Sequence, residues 1–317
     1  MKKNHLIILL IGTLFLSASS LLAENLTQEP IRPLPTKIVL NPAKVELGRQ
    51  LFHDVRLSGD DTISCASCHS LTSAGVDNLV HSVGIRNQTG AVNAPTVFNS
   101  GYNFRQFWDG RAATLEEQAA GPIHNPIEMD ASWARVLPKL RADADYVKAF
   151  SAHYSDGIQP KNIQDAIATF ERSLITYSRF DRYLYGDTNA ITEREKEGYR
   201  LFKSYGCIAC HQGINIGGNL YQKLGFFGDF FADRGSITKP DLGRYNVTEQ
   251  ESDRHRFKVP SLRNIARTEP YFHDGSIPDL QTAVAIMARY QLGRSIPAEH
   301  VDLIITFLHA LNGVDHE

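Results

Sequence analysis

Cys65-Ala66-Ser67-Cys68-His69 and Cys207-Ile208-Ala209-Cys210-His211 are two copies of one pentapeptide pattern, and together they use every cysteine of the 317-residue chain. Four cysteines in a chain with an export leader would ordinarily suggest a disulfide framework. That reading requires neither the two-residue gap nor the histidine directly behind it. Cys-x-x-Cys-His is the attachment signature of a c-type haem: the two thiols add to the vinyl groups, and the adjacent histidine is fixed under the ring as the proximal iron ligand. One such pentapeptide is expected ~0.002 times by chance in a chain of this composition, so two copies are a design. A thioredoxin-like dithiol lacks its βαβ surroundings here. A zinc site made from both pairs is the other rival.

The pattern extends outward from each motif. Leu47-Gly48-Arg49-Gln50-Leu51-Phe52 leads to the first copy and Glu197-Gly198-Tyr199-Arg200-Leu201-Phe202 to the second, each in the place of the first helix of a small cytochrome c domain. Two haem domains in tandem follow. The turn-rich Tyr183–Asn189 stretch opens into a helix near Thr192 and puts the boundary near Gly186, giving domains 24–186 and 187–317. Helical periodicity recurs at Ile163–Leu174, Leu280–Tyr290 and His300–Leu311, while alternating runs are few, so the class is mainly α.

At the amino end, Met1-Lys2-Lys3 precedes an apolar run from Leu6 to Leu16 and small residues up to Ala23. This order reads as a secretory signal peptide over 1–23, cut after Ser20 or Ala23. No run reaches the roughly 18 apolar residues of a membrane span. A periplasmic protein without stable membrane insertion is expected. The formal net charge of −2 gives no reason to expect nucleic acid or an anionic membrane as partner.

Sixth ligands separate a haem that carries electrons from one that binds a substrate. Beyond the initiator, only Met129 and Met287 can offer a thioether. Met287 lies on a helix that Asp279 caps and Gly293 ends. Methionine at such a spacing is more often core than ligand, but the second domain has an iron to ligate, and its histidines, His255, His273, His300 and His309, would lower the potential. Met287 is the expected distal ligand of the second haem. In the first domain, Thr114-Leu115-Glu116-Glu117 reads as a capping box starting a short helix that Gly121-Pro122 stops. Gln118 then sits on a rigid turn and Glu128 on the loop behind it. If peroxide is to bind the first haem, splitting its O–O bond requires a proton to leave the near oxygen and reach the far one; Glu128 fits that relay and Gln118 could orient the peroxide, although a loop carboxylate read alone is more often simply solvated. Lone His53, His124 and His153 read as surface or structural.

From Pro42 to Gly313 the sequence resembles the bacterial di-haem cytochrome c peroxidase family. The resemblance is carried in order by Leu47-Gly48 with Leu51-Phe52, Cys65–His69, Asn93–Val97, Gln106–Arg111, Gln118 with Glu128, Cys207–His211, Pro270–His273 and Ala283–Gly293. It implies reduction of hydrogen peroxide at a low-potential haem in the first domain, fed by a high-potential haem in the second. A small cytochrome c or cupredoxin is the implied donor, and members are often homodimers. By resemblance Glu128 and Gln118 are the catalytic pair, Trp108 helps electrons cross between haems, and a calcium ion is bound through Asn93 and the backbone oxygens of Thr268 and Pro270. Oxygen-only ligation suits calcium. One departure stands out. Many members cap the resting peroxidatic iron with a histidine after a Ser-Ile-Gly-like triplet, but here Ser82-Val83-Gly84 is followed by Ile85. Either His81 supplies the cap, or the first haem is five-coordinate at rest; the second reading is preferred. The rivals are an oxidase of the type that matures methylamine dehydrogenase, which carries tyrosine where this chain has Met287, and a di-haem electron carrier without peroxidase chemistry.

Overall fold

The computed structural model describes residues 29–313; the expected leader, 1–23, lies outside them. Helices dominate. They are α1 (Pro42–Phe52), α2 (Cys65–Cys68), α3 (Leu115–His124), α4 (Trp133–Arg141), α5 (Ala144–His153), α6 (Pro160–Ser173), α7 (Arg179–Leu184), α8 (Glu193–Tyr205), α9 (Phe230–Arg234), α10 (Tyr245–Thr248), α11 (Leu280–Leu292) and α12 (Ala298–His309). A two-stranded antiparallel ribbon pairs β1 (Tyr221–Lys223) with β2 (Arg256–Lys258). Among the described residues no helix is long and apolar enough to cross a membrane.

The helix starts are written locally. Asn41 caps α1 by accepting from the N–H groups of Ala43 and Lys44, with Pro42 at the first helical position. Thr192 and Glu195 form a reciprocal capping box on α8, which Gly206 ends in the left-handed region. Asp279 accepts from Thr282 N–H to start α11, and Gly293 ends it.

Packing repeats the sequence repeat. In the first half, α1 crosses α6 at Gly48, where an added Cβ would lie 2.0 Å from the Ala166 carbonyl oxygen. In the second, α8 crosses α12 at Gly198, where a Cβ would lie 2.0 Å from the Leu303 carbonyl oxygen. Each crossing is sealed by an aromatic pair one turn later: Phe52 with Phe170, and Phe202 with Phe307, both at 5.3 Å between ring centroids. One core gathers Leu47, Leu51, Ile123, Phe150 and Ile163; another gathers Tyr199, Phe202, Ile304, Phe307 and Leu308. Phe180 and Leu184 of α7 join the second core, and so does Ile31. The segment carrying Ile31 forms a strap over the second half. Gly213 N–H donates to Pro30 O, Arg32 N–H donates to Gly213 O, and Leu34 N–H donates to Asp181 Oδ1. Asp181 is also held at 2.9 and 3.0 Å by Arg263, a buried pair joining α7 to the loop before α11.

One expectation is corrected. The helix starting at Leu115 does not stop at Gly121-Pro122 but runs to His124 with Pro122 inside it. Burial of Ile123 in the first core outweighs the lost amide donor. Its last turn is secured from outside, by Met129 N–H on Pro122 O and Ala131 N–H on Ile123 O. The capping box is also only half formed: Thr114 accepts from Glu117 N–H, but the Glu117 carboxylate turns to Ala113 N–H.

Candidate functional site

Four free thiols stand in two separate places. Burial pushes the Cys65 thiol up to about 12 and the Cys207 thiol up to about 11, opposite to the depression a redox dithiol needs. Among the described residues, the three-member grouping of metal-ligating side chains is Asp241, His273 and Asp274, so the thiols do not converge on one ion. Behind each cysteine pair the histidine is arranged alike. His69 Nδ1 lies 3.3 Å from Gly75 O, and His211 Nδ1 lies 3.3 Å from Ile216 O. A backbone acceptor on Nδ1 fixes the tautomer and leaves Nε2 for a metal. Burial lowers both imidazoles, His211 to about 4, so they stay neutral and able to ligate.

In the second half these groups surround a cavity of about 430 Å³ whose wall includes Cys207, Cys210, His211 and, from α11, Met287. Free thiols, a histidine with Nε2 available, a thioether and an apolar wall are what a covalently held, six-coordinate haem requires. Asn93, Trp108, Thr268 and Pro270 also line this cavity. The Trp108 indole N–H donates to Asn93 O at 2.9 Å, and the Asn93 amide nitrogen donates to Leu79 O at 2.9 Å, which leaves Asn93 Oδ1 as the oxygen a cation could take.

In the first half, Glu128 approaches the Cys65–His69 motif closely enough that its charge adds to burial in raising the Cys68 thiol. Burial also raises the Glu128 carboxyl itself, against the opposing pull of Arg111 and of Asn125 Nδ2, which donates to Glu128 Oε1 at 2.6 Å. Gln118 sits half-buried on α3, on the turn before Pro122. The Ser82–Gly90 loop is pinned to the Glu128 segment: Ile85 N–H donates to Glu128 O at 2.8 Å, and Gly84 packs so near that a Cβ would meet Ile127 O at 2.1 Å. Ile85 itself is 0% exposed. His81 Nε2 is buried with no hydrogen-bond partner among the described residues.

The sequence profile of the di-haem cytochrome c peroxidase family matches residues 42–189. Along nearly the whole chain, a cytochrome c551 peroxidase of Nitrosomonas europaea is 46% identical over 311 residues, covering 97% of this chain and 90% of that protein. The chain belongs to the di-haem cytochrome c peroxidase family. The cytochrome c peroxidase Ccp of Escherichia coli (strain K12) is 51% identical over 94% of this chain, which spans 64% of the length of that relative. Among solved structures, a MauG-like protein associated with microbial copper homeostasis superimposes with a TM-score of 0.76 at 30% identity, covering 90% of this chain and 93% of that one. This peroxidase is therefore an oxidoreductase that takes peroxide as acceptor and works with two haem groups.

Two neighbours of the peroxidase's Glu128 escaped the reading of the sequence. Asn125 starts an Asx turn, with Ile127 N–H on its Oδ1 at 3.1 Å, and the Asn125-Pro126 dipeptide was the available signal. Arg111, stacked 3.4 Å over the Phe107 ring and paired with Asp109, reaches Glu128 only through tertiary structure. Lone His53 and His124 bond backbone carbonyls, of Arg49 and Ala131, and His153 lies half-buried at the end of α5.

Proposed function

We propose that peroxide is reduced in the first half, 24–186, beside Glu128, and that electrons enter through the second half, 187–317, from a small cytochrome c or cupredoxin in the periplasm. The observation that carries this reading is the asymmetry of the two sites: His211 shares its cavity with the Met287 thioether, whereas a half-buried carboxyl, Glu128, lies beside the motif of His69. Cys65, Cys68 and His69 would hold one haem, and Cys207, Cys210, His211 and Met287 the other; haem iron supplies the peroxide-binding centre and the store of oxidising equivalents. Glu128 takes the proton from the near peroxide oxygen and returns it to the far one, and the Gln118 amide steadies the molecule by hydrogen bonding. Two electrons and two protons complete the conversion of hydrogen peroxide to two waters. Trp108, tied to the Asn93 backbone, provides the aromatic step between the halves. Asn93 Oδ1 and the backbone oxygens of Thr268 and Pro270 would hold calcium, a hard cation suited to neutral oxygens.

No side chain at the Ile85 position would cap a haem held by His69 at rest. Ile85 has no ligating atom, its side chain is buried beneath Gly59, and its backbone is fixed on Glu128. The test is the spectrum of the fully oxidised protein together with steady-state peroxide consumption. High-spin ferric haem before any reduction is expected. A wholly low-spin spectrum that turns high-spin in His81→Ala would instead make His81 the resting cap, and absence of peroxide turnover would favour a plain electron carrier.

A further inference from the structure

Lys258 closes β2 opposite Tyr221, and its N–H donates to Trp108 O at 2.8 Å. The residue is 5% exposed and forms part of the wall of the second cavity with His211 and Met287. No aspartate or glutamate lines that wall, and Lys258 is its one lysine or arginine. The ammonium makes no hydrogen bond or ion pair with any described side chain; burial alone acts on it, pulling it down to about 8, so it keeps its proton at pH 7. A lone buried cation is costly, whereas one paired with an anion inside the same cavity is not left uncompensated. A haem brings two carboxylates.

We infer that Lys258 is the counter-charge for a carboxylate of the haem in the second site and a positioning residue that raises that site's potential. This rests on the reading that Cys207, Cys210 and His211 hold haem there. A fixed positive charge in a low-dielectric wall favours the state with one more electron. It also anchors the haem edge beside the backbone of Trp108, the residue leading toward the first half. Lys258 touches neither peroxide nor iron in this scheme, so its signature is a potential and not a proton-transfer rate.

The test uses the purified holoenzyme. Haem content by the pyridine haemochrome assay comes first: two haems per chain support the underlying reading, and a single haem in the unmodified protein defeats that reading independently of Lys258. Optical redox titration of the second haem then compares K258M and K258R with the parent. Both variants are expected to retain two haems, with the midpoint lowered in K258M and restored toward the parent in K258R. An unchanged midpoint in K258M carrying two haems overturns the inference. Should K258M fail to incorporate haem, the unmodified enzyme decides the matter by infrared difference spectroscopy at potentials that reduce the second haem alone. A lysine ammonium band that shifts with 15N-lysine labelling is expected, and its absence overturns the inference.

Discussion

Single side chains carry the chemistry, and their environments set when they act. Glu128 has its carboxyl raised chiefly by burial, with Arg111 and Asn125 pulling the other way. As a relay it must give up its proton, so the acid limb of the rate profile is expected above the ordinary glutamate range, with turnover rising as pH climbs through it. Glu128→Gln should keep both haems and lose turnover by ~10²–10⁴-fold; steady-state assays with a haem count check this, and near-full activity would dismiss Glu128 as the relay. Glu171 is a second buried carboxyl, near Cys65, pushed up to about 8 by burial. A raised carboxyl favours the folded state fully below its unfolded value of 4.5, and that stabilisation is lost as pH rises toward 8. Glu171→Gln should therefore gain on the parent across this window, by up to ~1.4 kcal/mol per pH unit, and match it at pH 4. Denaturant titrations at the two ends of the window check the sign.

At the level of elements, what could be read from the sequence was local. Asp279, Thr192 and Gly293 signal helix ends because a cap needs only its own turn, and the structure uses all three. Pro122 misled because a proline's cost is local while the burial of Ile123 that outweighs it is not. One partner of Glu128 was hidden for the same reason: Arg111 is 17 positions away by subtraction and arrives by folding. The repeated glycines were legible as a pattern, but their purpose appears only at the crossings. Gly48→Ala would place a methyl group against the Ala166 carbonyl. A destabilisation of ~1–3 kcal/mol is expected from such overpacking, read by thermal or denaturant unfolding. Gly198→Ala should do the same to the crossing of α8 and α12.

Over the whole molecule, short polar links join the two halves where electrons must cross. Asn93 N–H donates to His273 O at 2.9 Å, Asn78 Nδ2 to Glu269 O at 3.0 Å, and Lys258 N–H to Trp108 O at 2.8 Å. Calcium on Asn93, Thr268 and Pro270 would tie the same strands together. Removing it with a chelator is expected to slow electron transfer between the haems and lower turnover while leaving haem content intact, and added calcium should restore both. Stopped-flow reduction of the first site through the second measures the effect directly. Unchanged kinetics after verified metal removal would separate calcium from the electron route.

The strap formed by residues 30–34 bears on how the molecule is made. These residues pair with partners at Asp181 and Gly213 that lie some 150 to 180 positions later in the chain. The fold thus cannot be completed from its own beginning. Gly213 stands two residues beyond His211, so the strap closes over the very loop that presents the second attachment motif. The strap therefore cannot seat before that loop is present, and the core that Ile31 joins is completed only by α12, from still later in the chain.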